Sequence, residues 1–369
     1  MICSPVVLFF PLVLHTISDY WYSMGDPSAM ASLQENLIHN DGSYPEEAAP
    51  RAMAASYSFP KVLLPLSPLH LLPLQIELHL HLDGSVRFET LLELSKQKKI
   101  PLGNATTVEE VKKLLITTTP ANLSRVLQAF EIFLPVIKDD TAAMERVAYE
   151  LCEDQASQGI VEAVSRGLAR GKKDFGVESR QILCMICGMP EHNHELLELV
   201  KTCKDLGVVA IDVAGSAHGA DEKYEESVVA VFKEAYALGI HRTAHAGESG
   251  GAKEVLNAIN EMHAERIGHG YRILRDEEAY RSNFIDKRRA HLEACPWAQD
   301  DVDFSISRDD PTCFDNTPDG ELELVRTKIG LTLHQLWKAQ LNAAEACFAE
   351  DPYKSQLIAK IKAAEPPRE

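Results

Sequence analysis

Positive charge is scarce in this chain: 37 lysines and arginines face 55 aspartates and glutamates, for a formal net charge of −18. A polyanionic partner needs a positive surface, so the balance excludes nucleic acid and favours a small neutral or cationic ligand. A dense disulfide framework is also missing. The eight cysteines are scattered, and several stand in apolar runs that read as core of a protein in a reducing cytoplasm. Cys184-Met185-Ile186-Cys187 has C-x-x-C spacing, but it lies inside a strand-like run without a second pair, which argues for buried thiols over a zinc ribbon. No apolar run is long enough to span a bilayer. Val6 to Leu14 has signal-peptide length, yet no Lys or Arg precedes Arg51, so a basic leader region is absent and secretion is the minor option.

What is present divides at about residue 75. Residues 1–75 drift through Gly, Pro, Asn and Glu, then through the Leu/Pro-rich Leu63 to Pro68, and are read as a poorly ordered extension. Residues 76–369 read as one domain. Ile76, Leu78, Leu80 and Leu82 alternate with Glu77, His79, His81 and Asp83, which is the period of a strand. Two histidines two residues apart on a strand point to the same side, and Gly84 lets the chain turn just after them. Arg87 to Lys99 has helical spacing. Ala121 to Ile137 places Leu123, Val126, Leu127 and Phe130 on one helical face, either as ordinary core or as an apolar lid over a pocket. Thr141 to Gln158 reads as a further amphipathic helix.

From Gln181 onward short apolar runs alternate with helical stretches. The runs are 182–186, 208–213, 241–246, 266–269, 291–295 and 304–307; the helical stretches are 195–206, 225–238, 253–263 and 277–288. That rhythm predicts βαβ units, a parallel sheet and a TIM-type (β/α) barrel, with chemistry at the C-terminal strand ends. Those ends carry His79, His81 and Asp83, then Asp212 to Gly215, His245 to Glu248, Gly268-His269-Gly270, and Asp309-Asp310-Pro311. His79, His81 and His245 with the carboxylate of Asp309 make a divalent-cation site with a position left for water. His269 is placed to orient that water and take its proton, and Glu248 to protonate the substrate. Asp310 is placed to accept a hydrogen bond from substrate or water. The chemistry expected is metal-assisted hydrolysis at an unsaturated carbon.

His79-x-His81-Leu82-Asp83-Gly84-Ser85, His245-Ala246-Gly247-Glu248, Gly268-His269-Gly270 and Asp309-Asp310-Pro311, in this order, resemble the signatures of adenosine deaminase. The resemblance runs from about Ile76 to about Ala349. It implies one Zn²⁺ per chain held by His79, His81, His245 and Asp309, and hydroxide attack at C6 of adenosine or 2′-deoxyadenosine to give inosine and ammonia. Glu248 would protonate N1 while His269 and Asp310 assist. Among the groups touching substrate would be His81, Asp83 at the ribose 5′-hydroxyl, the backbone of Gly215 at N3, and Asp310 at N7. The helix with Leu123, Leu127 and Phe130 matches the family's apolar lid. Two other activities compete: a deaminase of adenine or of N6-methyl-AMP, and a relative that binds nucleoside or a protein partner without turnover. The H-x-E and P-C-x-x-C ligands of the base-editing zinc deaminases are absent.

Departures from the family are local. A second barrel strand of the type Y-x-E-x-R-x-S-P is missing after Gly159, where Ile160-Val161 runs straight into a helix-like stretch. The helix between the seventh and eighth strands is missing too, because Ala298 to Val302 is too short for a parallel crossover. Arg308 stands where the family usually has Thr, and Ser216-Ala217 replace an acidic pair. The expectation is an incomplete barrel with an opened edge and weakened stability.

Overall fold

Apolar stretches bounded by glycines and polar turns become strands, and the amphipathic stretches between them become helices that cover the sheet. The computed structural model describes residues 5–11, 76–117, 123–138, 140–153, 161–188, 190, 193–215, 223–293 and 302–368. Leu63 to Pro68, Ser216-Ala217 and Cys295 to Trp297 lie outside the described residues, as do most of residues 1–75.

Seven strands form one sheet: β1 (Pro5–Pro11), β2 (Glu178–Ile186), β3 (Val208–Ala214), β4 (His241–Ala246), β5 (Arg266–His269), β6 (His291–Glu293) and β7 (Phe304–Ser305). They are hydrogen-bonded in sequence order, and every neighbouring pair is parallel. Among the described residues five helices lie between β1 and β2 on the chain, the first four being α1 (Phe88–Lys98), α2 (Val108–Leu115), α3 (Leu123–Ile137) and α4 (Thr141–Glu153). Then come α5 (Val161–Phe175), α6 (Asn193–Thr202), α7 (Glu226–Ala237) and α8 (Ala252–Asn260), of which the last three lie between successive strands and pack on the sheet. Helices α12 (Leu333–Ala346) and α13 (Tyr353–Lys362) pair with each other near the end of the chain; α9 to α11 are the short turns Glu277–Tyr280, Pro311–Phe314 and Pro318–Leu324. This is the α/β, TIM-type barrel layout expected from the sequence.

The predicted gap is real. Among the described residues no strand separates α4 from α5, and the two helices pack directly against each other. Gly167 permits the close approach, since a Cβ there would collide with Ala148. Between β6 and β7 the parallel crossover runs through residues 294–303 alone, fewer than the dozen or so such connections usually take.

Two expectations need correction. The edge of β2 is not bare, because Pro5–Pro11 pairs with it in parallel from Pro5 opposite Glu178 to Pro11 opposite Cys184. At least these seven residues of the presumed extension belong to the sheet. Residues 76–82, for their part, form isolated bridges and not a regular strand. Their backbone donors are taken by side chains: Ile76 N–H donates to Gln340 Oε1 at 2.7 Å, and Leu78 and His79 N–H both donate to Ser307 Oγ at 3.1 Å. The stretch joins the other end of the strand order, beyond β7, through a parallel bridge between Leu80 and Asp309. β1 and residues 76–82 thus stand at opposite ends of the strand order.

A β2 edge without partner would leave a row of donors and acceptors open. Deleting residues 1–15 is therefore expected to lower the thermal unfolding midpoint measured by circular dichroism by several degrees; for a domain of this size about 1 kcal/mol corresponds to about 2–4 °C. An unchanged midpoint would show that the domain does not depend on β1.

Candidate metal centre and proton-transfer site

His79 and His81 are delivered by the 76–82 stretch, His245 by the end of β4, His269 by the end of β5, and Asp309 and Asp310 by the turn after β7. Their side chains converge. His79 Nε2 and His81 Nε2 each lie 3.3 Å from the same oxygen of Asp309. His81 Nε2 lies 3.0 Å from His245 Nε2. His79, His81 and His245 therefore offer three nitrogens, and Asp309 an oxygen, to one small volume. His269 shares that volume, its ring 4.7 Å from that of His79.

The convergence is built from behind. His79 Nδ1 is 2.9 Å from Glu293 Oε2, and His245 Nδ1 is 3.0 Å from Asp212 Oδ2. Each carboxylate takes the rear ring nitrogen, which fixes the tautomer and turns Nε2 toward the centre, the usual support for a metal-binding imidazole. Glu293 is itself held by the Arg266 guanidinium and by Thr243 Oγ1 at 3.2 Å. Asp212 also accepts from Cys184 Sγ at 3.1 Å, which accounts for one thiol of the C-x-x-C pair; Cys184 and Cys187 are both free. Glu293 escaped the sequence reading because it sits within a short apolar run; a lone carboxylate inside such a run was the available signal. Asp212 was noticed as a strand-end residue, but without a role.

Glycine makes room at two points. A Cβ on Gly268 would press against the His79 ring, and one on Gly84 would overlap the Asp310 carboxylate. Gly84 is thus required by a close approach and not by a left-handed backbone. Among residues with side chains, His269 and Asp309 have φ of 62° and 60°, a strained region that the surrounding bonds must hold.

Burial and mutual charge set the protonation states. Burial alone would lower His79 and His81, but Asp309 with Glu293 raises the first well above its ordinary value, and Asp310 with Asp309 raises the second to about 9. Burial raises carboxyls in general, yet the contacts with His79 and His81 pull Asp309 far down. Asp310, buried and beside ionised Asp309, is pushed well above the carboxylate range. Burial and the approach of His79 push His269 well down, so it is neutral. Burial and Asp309 raise Glu248 to about 7, and its Oε2 lies 3.8 Å from His269 Nε2. The ionised Asp309 among imidazoles set tilted or edge-on to one another forms a set that a divalent cation would satisfy, and the nitrogen-rich donors fit a borderline ion.

The loop carrying Glu248 is pinned: Gly247 N–H donates to Glu254 Oε2 at 2.7 Å, Tyr271 O–H to Glu248 O at 2.8 Å, and Arg272 to Ser249 O. Asp83 is buried, lifted to about 6 by burial, and its Oδ1 has no hydrogen-bond partner. Gly215 ends β3 with φ of 87°. The lid helix is less simple. Val126 faces the core with Ala129, Phe133, Val136 and Ile137, in a helix that packs on α1 and α2. Leu127 and Phe130 are half-buried beside that face, and the Leu123 side chain lies outside the described residues.

The adenosine deaminase family model matches residues 74–161 and 156–299. Adenosine deaminase of Gallus gallus is 32% identical over 341 aligned positions, which take in 77% of this chain and 93% of that protein. The Clostridium perfringens enzyme is 30% identical, with 78% and 97% covered. The alignment with the first is longer than the stretch of this chain it uses, so that relative holds internal segments lacking here. Among solved structures, adenine deaminase from Arthrobacter aurescens superposes with a TM-score of 0.64 at 20% identity, covering 78% of this chain and 97% of that one. An amidohydrolase with bound Zn from Burkholderia ambifaria gives a TM-score of 0.66 at 21% identity, covering 85% and 98%. With the same barrel, and with sequence kinship over most of its length, this chain belongs to the adenosine deaminase family of hydrolytic deaminases.

Proposed function

We propose that the protein deaminates adenosine and 2′-deoxyadenosine hydrolytically, giving inosine and ammonia, at a single zinc site made of His79, His81, His245 and Asp309. The observation that carries this reading is the meeting of three imidazoles and an ionised carboxylate beside a carboxyl, Glu248, that titrates near neutrality. Zinc bound by these four residues would supply a hydroxide at neutral pH by acidifying water. Glu248, raised to about 7, is protonated in a large fraction of molecules near neutral pH and can hand that proton to a purine ring nitrogen as attack proceeds. His269, neutral and pushed down by burial and by His79, is suited to accept a hydrogen bond from the attacking water and so orient it. Asp310 is protonated and can donate to a purine nitrogen. A pair of neighbouring carboxyls with opposite protonation is the usual way one site supplies both an acid and a base.

Asp83 supports a nucleoside as substrate. Its partnerless buried oxygen can accept from a hydroxyl, whereas a phosphate would be repelled by this acidic wall. A second reading is favoured by the fold neighbours, which include an Arthrobacter adenine deaminase and an Arabidopsis N6-mAMP deaminase with a TM-score of 0.64 at 23% identity. A panel of adenosine, 2′-deoxyadenosine, adenine and N6-methyl-AMP, followed by ultraviolet absorbance and ammonia release, separates the two. Turnover of the nucleosides is expected; turnover of the nucleotide or free base alone would replace the first reading by the second, and binding without turnover would leave a binding protein.

Three outcomes follow for the enzyme. Glu248→Gln is expected to lower kcat by about 10²–10⁴-fold, the range for a lost general acid, with substrate binding retained. Because the acid must be protonated, the rate should fall as pH rises through about 7, and that alkaline limb should vanish in the variant. Asp212→Ala, which frees the rear nitrogen of His245, should weaken zinc binding about 10–100-fold in chelator competition. Equal zinc affinity in variant and parent would remove His245 from the ligand set.

A further inference from the structure

The seam between residues 76–81 and residues 304–309 has little backbone pairing, yet it carries three of the four proposed metal ligands. Beside it lies a buried ion pair. Glu77 and Arg308 side chains are 6% and 8% exposed. Arg308 Nε donates to Glu77 Oε1 at 2.8 Å and Nη2 to Oε2 at 2.7 Å, a two-pronged match, and the Arg308 backbone N–H adds a third bond to Oε1 at 3.2 Å. One side chain in the 76–82 stretch thus grips both the main chain and the side chain of the residue next to Asp309.

We propose that Arg308, clamped by Glu77, is a positioning residue that fixes Asp309 in the conformation from which it meets His79 and His81. The inference rests on the zinc reading given above and assigns Arg308 no contact with substrate. Asp309 has φ of 60°, a left-handed backbone that aspartate adopts more readily than most residues but that still costs energy, so restraints around it matter. The restraints all converge here. Asp309 N–H donates to His79 O at 3.3 Å, His81 N–H to Asp309 O at 2.8 Å, and Asn316 Nδ2 to Arg308 O at 2.9 Å. The clamp adds the side chain of residue 308 to this set, so the peptide leading into Asp309 is held on both sides.

The same pair answers an electrostatic need. Glu77 is deep in the barrel, and Asn316 Nδ2 also donates at 2.9 Å to Glu321, a second, largely buried carboxyl that feels both Glu77 and Arg308. Without the guanidinium two carboxyls would face each other with no cation between them, and an unpaired buried charge displaces its surroundings. Lysine keeps the charge but not the fork. The threonine usual in the family could do neither, so in this chain the clamp is an added device at a seam whose ladder is mostly made by side chains.

The test uses the full chain with Arg308→Lys, Arg308→Thr and Glu77→Gln. Zinc dissociation constants are measured by chelator competition below each variant's unfolding midpoint, with circular dichroism confirming the fold, and kcat and KM are taken at saturating zinc. Zinc affinity is expected to fall about tenfold or more in Arg308→Thr and Glu77→Gln, the scale for lost support behind a metal ligand. Arg308→Lys should lie between them and the parent. KM for adenosine should stay unchanged while kcat falls. If Arg308→Thr fails to fold, Arg308→Lys decides. Variants that melt earlier but bind zinc as tightly as the parent would make the pair purely structural and overturn the proposal alone. A parent that binds no zinc would overturn the metal reading together with it.

Discussion

The contact on which the rest depends is the parallel bridge of Leu80 to Asp309, where the first segment of the domain meets the last. It brings together candidate ligands separated by more than two hundred residues of chain, and it does so at the C-terminal end of the sheet. The backbone exchanges two bonds there, between His79, His81 and Asp309, and the remainder of the seam relies on Ser307, Gln340 and the Glu77–Arg308 pair. The seam also concentrates the polar groups: the same few residues that join 76–82 to the segment after β7 carry the candidate site.

Buried charge is the second organising influence. In water these carboxyls and imidazoles would titrate near their ordinary values. Within the barrel mouth desolvation acts on all of them, and neighbours then divide them. Asp309 and Glu293 are kept ionised, Glu293 near 2, by imidazoles and by Arg266. For Asp310 and Glu248 burial and the Asp309 charge outweigh the same histidines, so both are raised, Glu248 to about 7. His269 is left neutral among cationic neighbours. The result is a site with an ionised ligand, a protonated donor, an acid near neutrality and a neutral imidazole within one small volume, produced by differences in partner and not by differences in residue type.

The sequence showed more of the site than of the scaffold. Histidines at i and i+2, His245 with Glu248 three residues on, a glycine-flanked His269 and the Asp309-Asp310 pair were all visible, since metal binding and proton transfer admit few residue types. Periodicity located the strands of the sheet from β2 onward and most of the helices between them. It also exposed the missing second strand, because α4 runs into α5 without an apolar run between them. The stretch at 76–82 was overread, however: alternation looks alike in a paired strand and in a segment bonded by side chains from elsewhere. The apolar run at Pro5–Pro11 was underread, since two prolines and a distant place in the chain hid a parallel partner for β2. In α3 the spacing offered Leu123, Val126, Leu127 and Phe130 as one face, while packing on α1 and α2 selected Val126, Ala129 and Phe133.

By itself, then, the sequence determined the residue types able to hold a cation and move a proton, and the βαβ rhythm that collects strand ends on one side. Both are properties of local spacing and side-chain chemistry. Tertiary structure alone decided which carboxylates back the imidazoles, why Gly84 and Gly268 carry no side chain, and which of two adjacent aspartates keeps its proton. It also decided that Arg308 meets Glu77 and that residues 5–11 cover β2. Those outcomes depend on distances and desolvation across the barrel, between residues that no local pattern links.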